Sequence, residues 1–464
     1  MTITRRGWLR AGLATSAIAM ARRVAGAQPM TMPMPMPMPA DPPKAPAPAP
    51  VPAPAPTHAA PPPPQGASPH PPAPAQHSAG PNYTPVIVPD GHTLPFELRD
   101  GVKVFHLVAE AFRHEIAPGL EIEAWGYNGS TPGPLIEAVA GDRVRIYVTN
   151  KLPERTTVHW HGVILPNGMD GVSGLTQDPI PPGKTFKYEF TFTKPGTFMY
   201  HPHFDEMTQI AFGMVGMIVV HPREPATRRV RDFSLMMHEW KIPIGASRPD
   251  PLAMNDFNVL TFNSKAYPAT SALAVEVGDL VRIRLGNLGP MDHHPIHLHG
   301  YAFEVVETDG GQVPRERRWP ETTTLVPVGA VRVIEFVADA PGDWALHCHM
   351  THHTMNQMGH EAPNLVGADV RGVDDKVGKL VPGYMTMGES GMGEMMMMKT
   401  PHNSISMMGG KGPFDQIDMG GMFTVVKVRK HLTPETAAAW FDHPKGTVAD
   451  EATASDLARD NIKV

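Results

Sequence analysis

From Tyr83 onward, apolar and polar residues alternate in short runs such as Val144-Arg145-Ile146-Tyr147-Val148 and Val281-Arg282-Ile283-Arg284-Leu285. A period of two turns one face of each run towards a core and the other towards water, which predicts half-buried β-strands. Gly and Pro turns separate the runs, so the expected fold class is all-β, of sandwich type. An internal repeat sets the number of sandwiches. Gly141-Asp142-Arg143-Val144-Arg145-Ile146, Asn150 and His159-Trp160-His161-Gly162 recur as Gly278-Asp279-Leu280-Val281-Arg282-Ile283, Asn287 and His297-Leu298-His299-Gly300. Pro195-Gly196 before His201 likewise recurs as Pro341-Gly342 before His347. The prediction is two copies of one sandwich, residues 83–228 and 229–430, the second with a Met-rich insertion over 385–422, then a polar C-terminal tail over 431–464. The stretch between His203 and His294 is too short for a third domain.

Residues 1–82 lack this alternation. Arg5 and Arg6, an apolar stretch from Leu13 to Met20 and the small residues Ala25-Gly26-Ala27 make residues 1–28 an expected export signal. Thr4-Arg5-Arg6-Gly7-Trp8-Leu9 resembles a twin-arginine signal, so the expected compartment is the periplasm; the alternative is a short amphipathic helix. Residues 29–82 hold 22 of the 53 prolines and read as a disordered Pro/Met/Ala-rich linker. No later stretch reaches the ~18 consecutive apolar residues of a membrane span. With 40 Lys and Arg against 46 Asp and Glu, no basic surplus exists to bind nucleic acid. The single cysteine, Cys348, cannot form an intrachain disulfide and is a candidate for chemistry instead.

Histidines concentrate in four clusters: His159 and His161; His201 and His203; His294, His297 and His299; His347, His349 and His353 around Cys348. On a strand, positions i and i+2 share a face, so each His-X-His pair presents two imidazoles side by side. Neutral imidazole is the commonest transition-metal ligand, and four pairs supply enough nitrogens for several ions. A lone pair is readily a surface or core feature, but four at repeat-equivalent positions are not. Cys348 faces away from His347 and His349, so its thiolate can hold one metal while they hold others behind it. With His294, His353 and the thioether of Met358 it completes the two-His, one-Cys, axial-Met set of a blue copper site.

These four clusters resemble the copper motifs of multicopper oxidases, and their spacing over residues 120 to 430 resembles the two-domain, laccase-like branch built from Greek-key cupredoxin sandwiches. The resemblance implies four copper ions per subunit. Type 1 copper would lie on His294, Cys348 and His353 with Met358 axial, and type 2 on His159 and His297. His161, His201 and His349 would hold one type 3 copper; His203, His299 and His347 would hold the other. Asp170 matches an acidic residue that in this family lies near type 2 copper and helps deliver protons, although an aspartate before Gly171 also suits a plain turn. The acidic residue common after the motif cysteine is absent, leaving Asp205, Glu206 and His352 as weak substitutes. Repeat alignment sets Thr156 opposite His294, Pro202 opposite Cys348, Met207 opposite His353 and Phe212 opposite Met358, so the first copy lacks a type 1 site. Copper nitrite reductases, which carry type 1 copper in their first domain and no trinuclear cluster, differ on both counts.

Sixteen of the 30 methionines lie in two biased segments, five in residues 30–38 and eleven in residues 385–422. Their spacing follows neither helix nor strand, which points to Cu(I) capture by thioethers rather than to packing; an incidental linker or adaptable apolar surface is the alternative. The expected function is an oxidase of phenols or cuprous ion that reduces dioxygen to water, with Cys348 and Asp170 as catalytic residues. Nitrite reduction and copper binding without turnover are the alternatives. By resemblance, three subunits would close into a homotrimer with the trinuclear clusters at their interfaces.

Overall fold

The computed structural model describes residues 83–224, 230–357, 376, 379–380, 402–407 and 409–464. The expected signal and linker, Met358 and most of the Met-rich insertion lie outside them. The first sandwich contains β1 (Val102–Ala117), β2 (Gly133–Val139), β3 (Arg143–Asn150), β4 (His159–His161), β5 (Thr185–Thr191), β6 (Gly196–His201) and β7 (Gly216–His221), with a short helix α1 (Glu206–Ala211) after β6. The second contains β8 (Val230–Trp240), β9 (Leu273–Glu276), β10 (Leu280–Asn287), β11 (His294–Leu298), β12 (Ala330–Val337), β13 (Gly342–Cys348) and β14 (Phe423–Arg429).

The internal repeat is a repeat of topology. One sheet of the first sandwich runs β1-β3-β5 and the other β2-β7-β6-β4; their counterparts run β8-β10-β12 and β9-β14-β13-β11. Each sandwich has the same two parallel pairings, β1 with β3 and β2 with β7, then β8 with β10 and β9 with β14. Parallel neighbours cannot be joined by a tight turn, so the chain must cross between sheets to make them. Val144, Ile146 and Val148 of β3, and Val281, Ile283 and Leu285 of β10, are all fully buried, as the alternation predicts.

Strand β8 departs from simple alternation, because both its faces are covered. Phe233, Leu235 and Met237 enter the second sandwich's core, while Met236 joins Met199, Met217 and Val219 in a separate apolar layer that packs the sandwiches together. Arg284, on a polar position of β10, is buried at the same face. It grips Asp232 through two 2.8 Å hydrogen bonds and donates to Thr197 Oγ1 of β6. Glu307 accepts the Thr197 backbone N–H and stands 3.7 Å from Arg284. An ion pair at this depth needs full hydrogen bonding to offset its desolvation, and Thr197 supplies part of it.

The C-terminal tail is polar, yet its first part is fixed. Lys427 Nζ donates to the carbonyls of Ala438 and Ala439, and Arg429 donates to those of Thr436 and Ala439 while pairing with Asp343 at 2.6 Å. No helix among the described residues is long and apolar enough to cross a membrane.

Candidate metal centres

Strand alternation carries His294 of β11 inward beside Ile296 and Leu298, while His297 and His299 take the opposite face. Ile296 pairs with Cys348, and a short 3-10 turn over Thr351–Thr354 brings His353 back to the same spot. His294 Nδ1 lies 3.2 Å from His353 Nδ1, and Cys348 Sγ is 3.8 and 3.4 Å from these two nitrogens. All three residues are buried. Burial pushes the Cys348 thiol up to about 12 and holds both imidazoles below their ordinary range, His294 far below. Two neutral nitrogens and one sulfur therefore converge on a single point, the donor set and trigonal arrangement that copper takes in blue sites. A bound cation would hold the thiol as thiolate. The residues present fit that metal, while Met358 lies outside the described residues.

Two carboxylates stand behind these imidazoles. Glu239 Oε2 is 3.6 Å from His294 Nε2, and Asp292 Oδ2 is 3.6 Å from His353 Nε2. Burial, aided by the charge of Asp292, pushes Glu239 up to about 8; a bound cation would oppose that shift and favour the carboxylate. Neither residue was singled out from the sequence. The available signal was a charged residue inside the apolar run Leu235-Met236-Met237-His238-Glu239-Trp240, and an aspartate two places before His294.

The remaining cluster histidines form two quartets. In the first, β4 pairs with β6 so that His159 faces His201, while Trp160 points into the core. His161 Nδ1 and His201 Nε2 approach to 3.3 Å, and the His159 ring lies 5.6 Å from that of His203. His159 Nδ1 donates to the backbone carbonyl of Asp170 at 2.8 Å, and His201 Nδ1 to that of Pro202 at 2.8 Å, so each Nε2 carries the lone pair that a metal would take. Burial pushes His201 down to about 3 and also lowers His161, with help from His159. In the second quartet His297 faces His347 across β11 and β13, the same register. His299 Nε2 and His347 Nε2 are 3.1 Å apart, His297 Nδ1 bonds Thr322 O at 2.7 Å, and the His349 ring lies 5.4 Å from that of His297. Among the described residues, ring contacts join histidines within each quartet and none joins one quartet to the other. His299 and His349 are exposed.

Asp170 sits where its motif position puts it, Oδ1 3.5 Å from His159 Nδ1. Of the weaker acidic candidates, Glu206 lies 3.3 Å from His201 Nδ1 and 3.9 Å from His203 Nε2; Asp205 and His352 are exposed. At the first-sandwich position opposite His294, Thr156 Oγ1 donates to Gln209 Oε1 at 2.7 Å and Gln209 Nε2 donates to Arg155 O at 2.8 Å. Both side chains are fully buried, so hydrogen bonds close the position that His294 occupies in the second.

The methionine expectation needs correction in part. Of the eleven in residues 385–422, Met407 and Met422 are buried, and Met419 packs on the cluster of Tyr267, Phe423 and Val425. Met422 also closes the His353 turn, its N–H donating to His353 O and its carbonyl accepting from Cys348 N. Packing is their role, because the chain here returns to β14 through the edge of the core. Three other methionines were not foreseen: Met207, Met254 and Met291 are exposed and line one cavity of about 290 Å³ with His161, His201 and Glu206.

Residues 110–225 and 243–366 each match a family model described as multicopper oxidase. Laccase-1 of Cryptococcus neoformans var. grubii is 32% identical over 226 residues, 42% of this chain and 36% of that protein. The copper-containing nitrite reductase of Neisseria meningitidis is 28% identical over 249 residues, 52% of this chain and 63% of that protein. The chain thus spans between about a third and two thirds of the length of these curated relatives. Among solved structures, the blue copper oxidase of Nitrosomonas europaea superposes with a TM-score of 0.53 at 24% identity, covering 72% of this chain and 92% of that one. Multicopper oxidase mgLAC superposes with 0.52 at 26% identity, covering 72% and 88%.

Proposed function

This chain belongs to the multicopper oxidase family, and we propose that it couples one-electron oxidation of phenols or cuprous ion to the four-electron reduction of dioxygen to water. The observation that carries this reading is the position of Cys348. Its side chain points into the buried triangle with His294 and His353, and its two chain neighbours, His347 and His349, turn to the opposite face. One short stretch of backbone thus joins two ligand sets covalently.

In this reading, four copper ions supply the one-electron chemistry and the site of dioxygen reduction. His294, Cys348 and His353 would hold type 1, with Met358, outside the described residues, as the further ligand expected from the sequence; His159 and His297 would hold type 2. His161, His201 and His349 would hold one type 3 ion, and His203, His299 and His347 the other. Support comes from the two close pairs, His161 with His201 and His299 with His347, each falling within one proposed type 3 set. Asp170 fixes the His159 ring through its carbonyl and keeps its carboxylate beside that ring, placed to relay protons. Because no ring contact joins the quartets among the described residues and His299 and His349 of the second are exposed, a homotrimer that pairs them between subunits is part of the proposal. Export to the periplasm is also part of it.

For the donor, the thioethers of Met207, Met254 and Met291 favour cuprous ion, a soft cation. Nitrite reduction is disfavoured by the hydrogen-bonded closure of Thr156 and Gln209 and by eight cluster histidines. A copper-binding role without turnover is separated by measuring copper content and oxygen uptake together. The protein should bind four copper ions and consume oxygen with a one-electron donor, and Cys348→Ser should abolish blue absorption and turnover. A Cys348→Ser protein that stays blue and active would remove the ligand assignment; copper binding without oxygen uptake would leave the storage role.

A further inference from the structure

Glu239 is fully buried on β8, and its two oxygens do different things. Oε1 accepts the backbone N–H groups of Met291 and Asp292, the latter at 2.7 Å, and so clamps the loop that leads into His294. Oε2 has no hydrogen-bond partner, and neither does His294 Nε2, although both are buried. These two orphaned atoms face each other at 3.6 Å. Buried polar atoms are rarely left unpaired, so two that confront each other mark an interaction the site is built to make. The ring chemistry says which one. For His294 Nδ1 to offer a lone pair beside Cys348 Sγ and His353 Nδ1, its single proton must sit on Nε2, aimed at Glu239 Oε2.

We propose that Glu239 is a positioning residue for the type 1 copper, accepting the Nε2–H of His294 with one oxygen while the other holds the loop. Through the Asp292 N–H the same residue sets Asp292, whose carboxylate lies behind His353. One buried side chain thereby orients the outer nitrogens of both imidazole ligands. Outer partners of this kind fix the tautomer and the orientation of a metal-bound histidine. The inference rests on the assignment of His294, Cys348 and His353 to copper.

Glu239→Gln separates this role from a merely structural one. An amide has one acceptor oxygen. If that oxygen keeps the two backbone N–H groups, as the loop requires, its NH2 faces His294 Nε2 and pushes the ring proton towards Nδ1, the ligand atom. The variant should fold with an unchanged melting temperature in the copper-free state. Its type 1 copper should show a raised reduction potential and faster loss to a chelator than the wild type. Equal potential and equal copper retention would overturn the inference. Should the variant not fold, pulsed EPR of the wild-type holoenzyme decides. Quadrupole couplings of a strongly hydrogen-bonded remote nitrogen on both imidazoles support the proposal; a weakly bonded one on His294 overturns it. If Cys348→Ser is colourless while Glu239→Gln is silent, only this inference falls. If Cys348→Ser stays blue, the copper assignment falls first.

Discussion

Arg284→Met tests whether the ion pair between the sandwiches holds them together. Removing the guanidinium leaves Asp232 and Glu307 buried, each without its main cation, and strips Thr197 Oγ1 of a donor. Breaking a buried pair from one side costs roughly 3–5 kcal/mol. Asp232 keeps a 3.2 Å contact with Arg282, which favours the lower part of that range. Loss of the Thr197 bond adds about 1 kcal/mol. The expected loss is therefore about 4 kcal/mol, read as the shift in a urea unfolding curve of the copper-free protein. Asp232→Leu added to Arg284→Met should recover part of it, because one of the two stranded charges is then gone and that side of the site can pack, while Glu307 stays unpaired. Since Thr197 shares β6 with His201, the single variant should also lose copper more readily from the first quartet. A loss below about 1 kcal/mol for Arg284→Met, or a double variant no better than the single, would refute the reasoning.

Other expectations follow from the same structure. His238 and His201 are buried and held down to about 4 and about 3 from 6.5, so between those values the unfolded chain binds more protons than the folded one. Stability of the copper-free protein should be complete above about pH 6.5 and fall as pH drops, by up to about 1.4 kcal/mol per pH unit for each histidine; identical denaturation midpoints at pH 7 and pH 5 would contradict this. Truncation after Lys430 removes the Ala438 and Ala439 carbonyls from buried Lys427 and the Thr436 and Ala439 carbonyls from Arg429, and should cost roughly 2–4 kcal/mol, visible in the melting temperature. Deleting residues 385–401 while keeping the packed return through Met407 and Met422 should lower Cu(I) oxidation more than oxidation of a small phenol; equal losses, measured as oxygen uptake, would assign the segment a structural role.

Local chemistry was legible in the sequence because strand geometry is local. A period of two decides that His159 and His161 share a face opposite Trp160, and that Cys348 turns away from His347 and His349, whatever the rest of the chain does. The repeat likewise carried the number of sandwiches, and it set Thr156 rather than a histidine at the first-copy position of His294. Other features depend on residues distant in the chain. That Arg284 is buried follows only from the first sandwich packing on β10, and alternation alone assigned it to water. Glu239 acquires its place beside His294 because β8 and the Met291 loop meet in space; Gln209 closes the first-sandwich position opposite His294 because α1 folds back onto Thr156. Met407 and Met422 read as unpatterned in sequence yet are packed, since the turn of His353 and the return to β14 create a core edge that no periodicity records. Sequence thus determines the donors and the faces they occupy, and tertiary structure decides their outer partners, because hydrogen bonds to a ligand's far side come from whichever strand packs behind it.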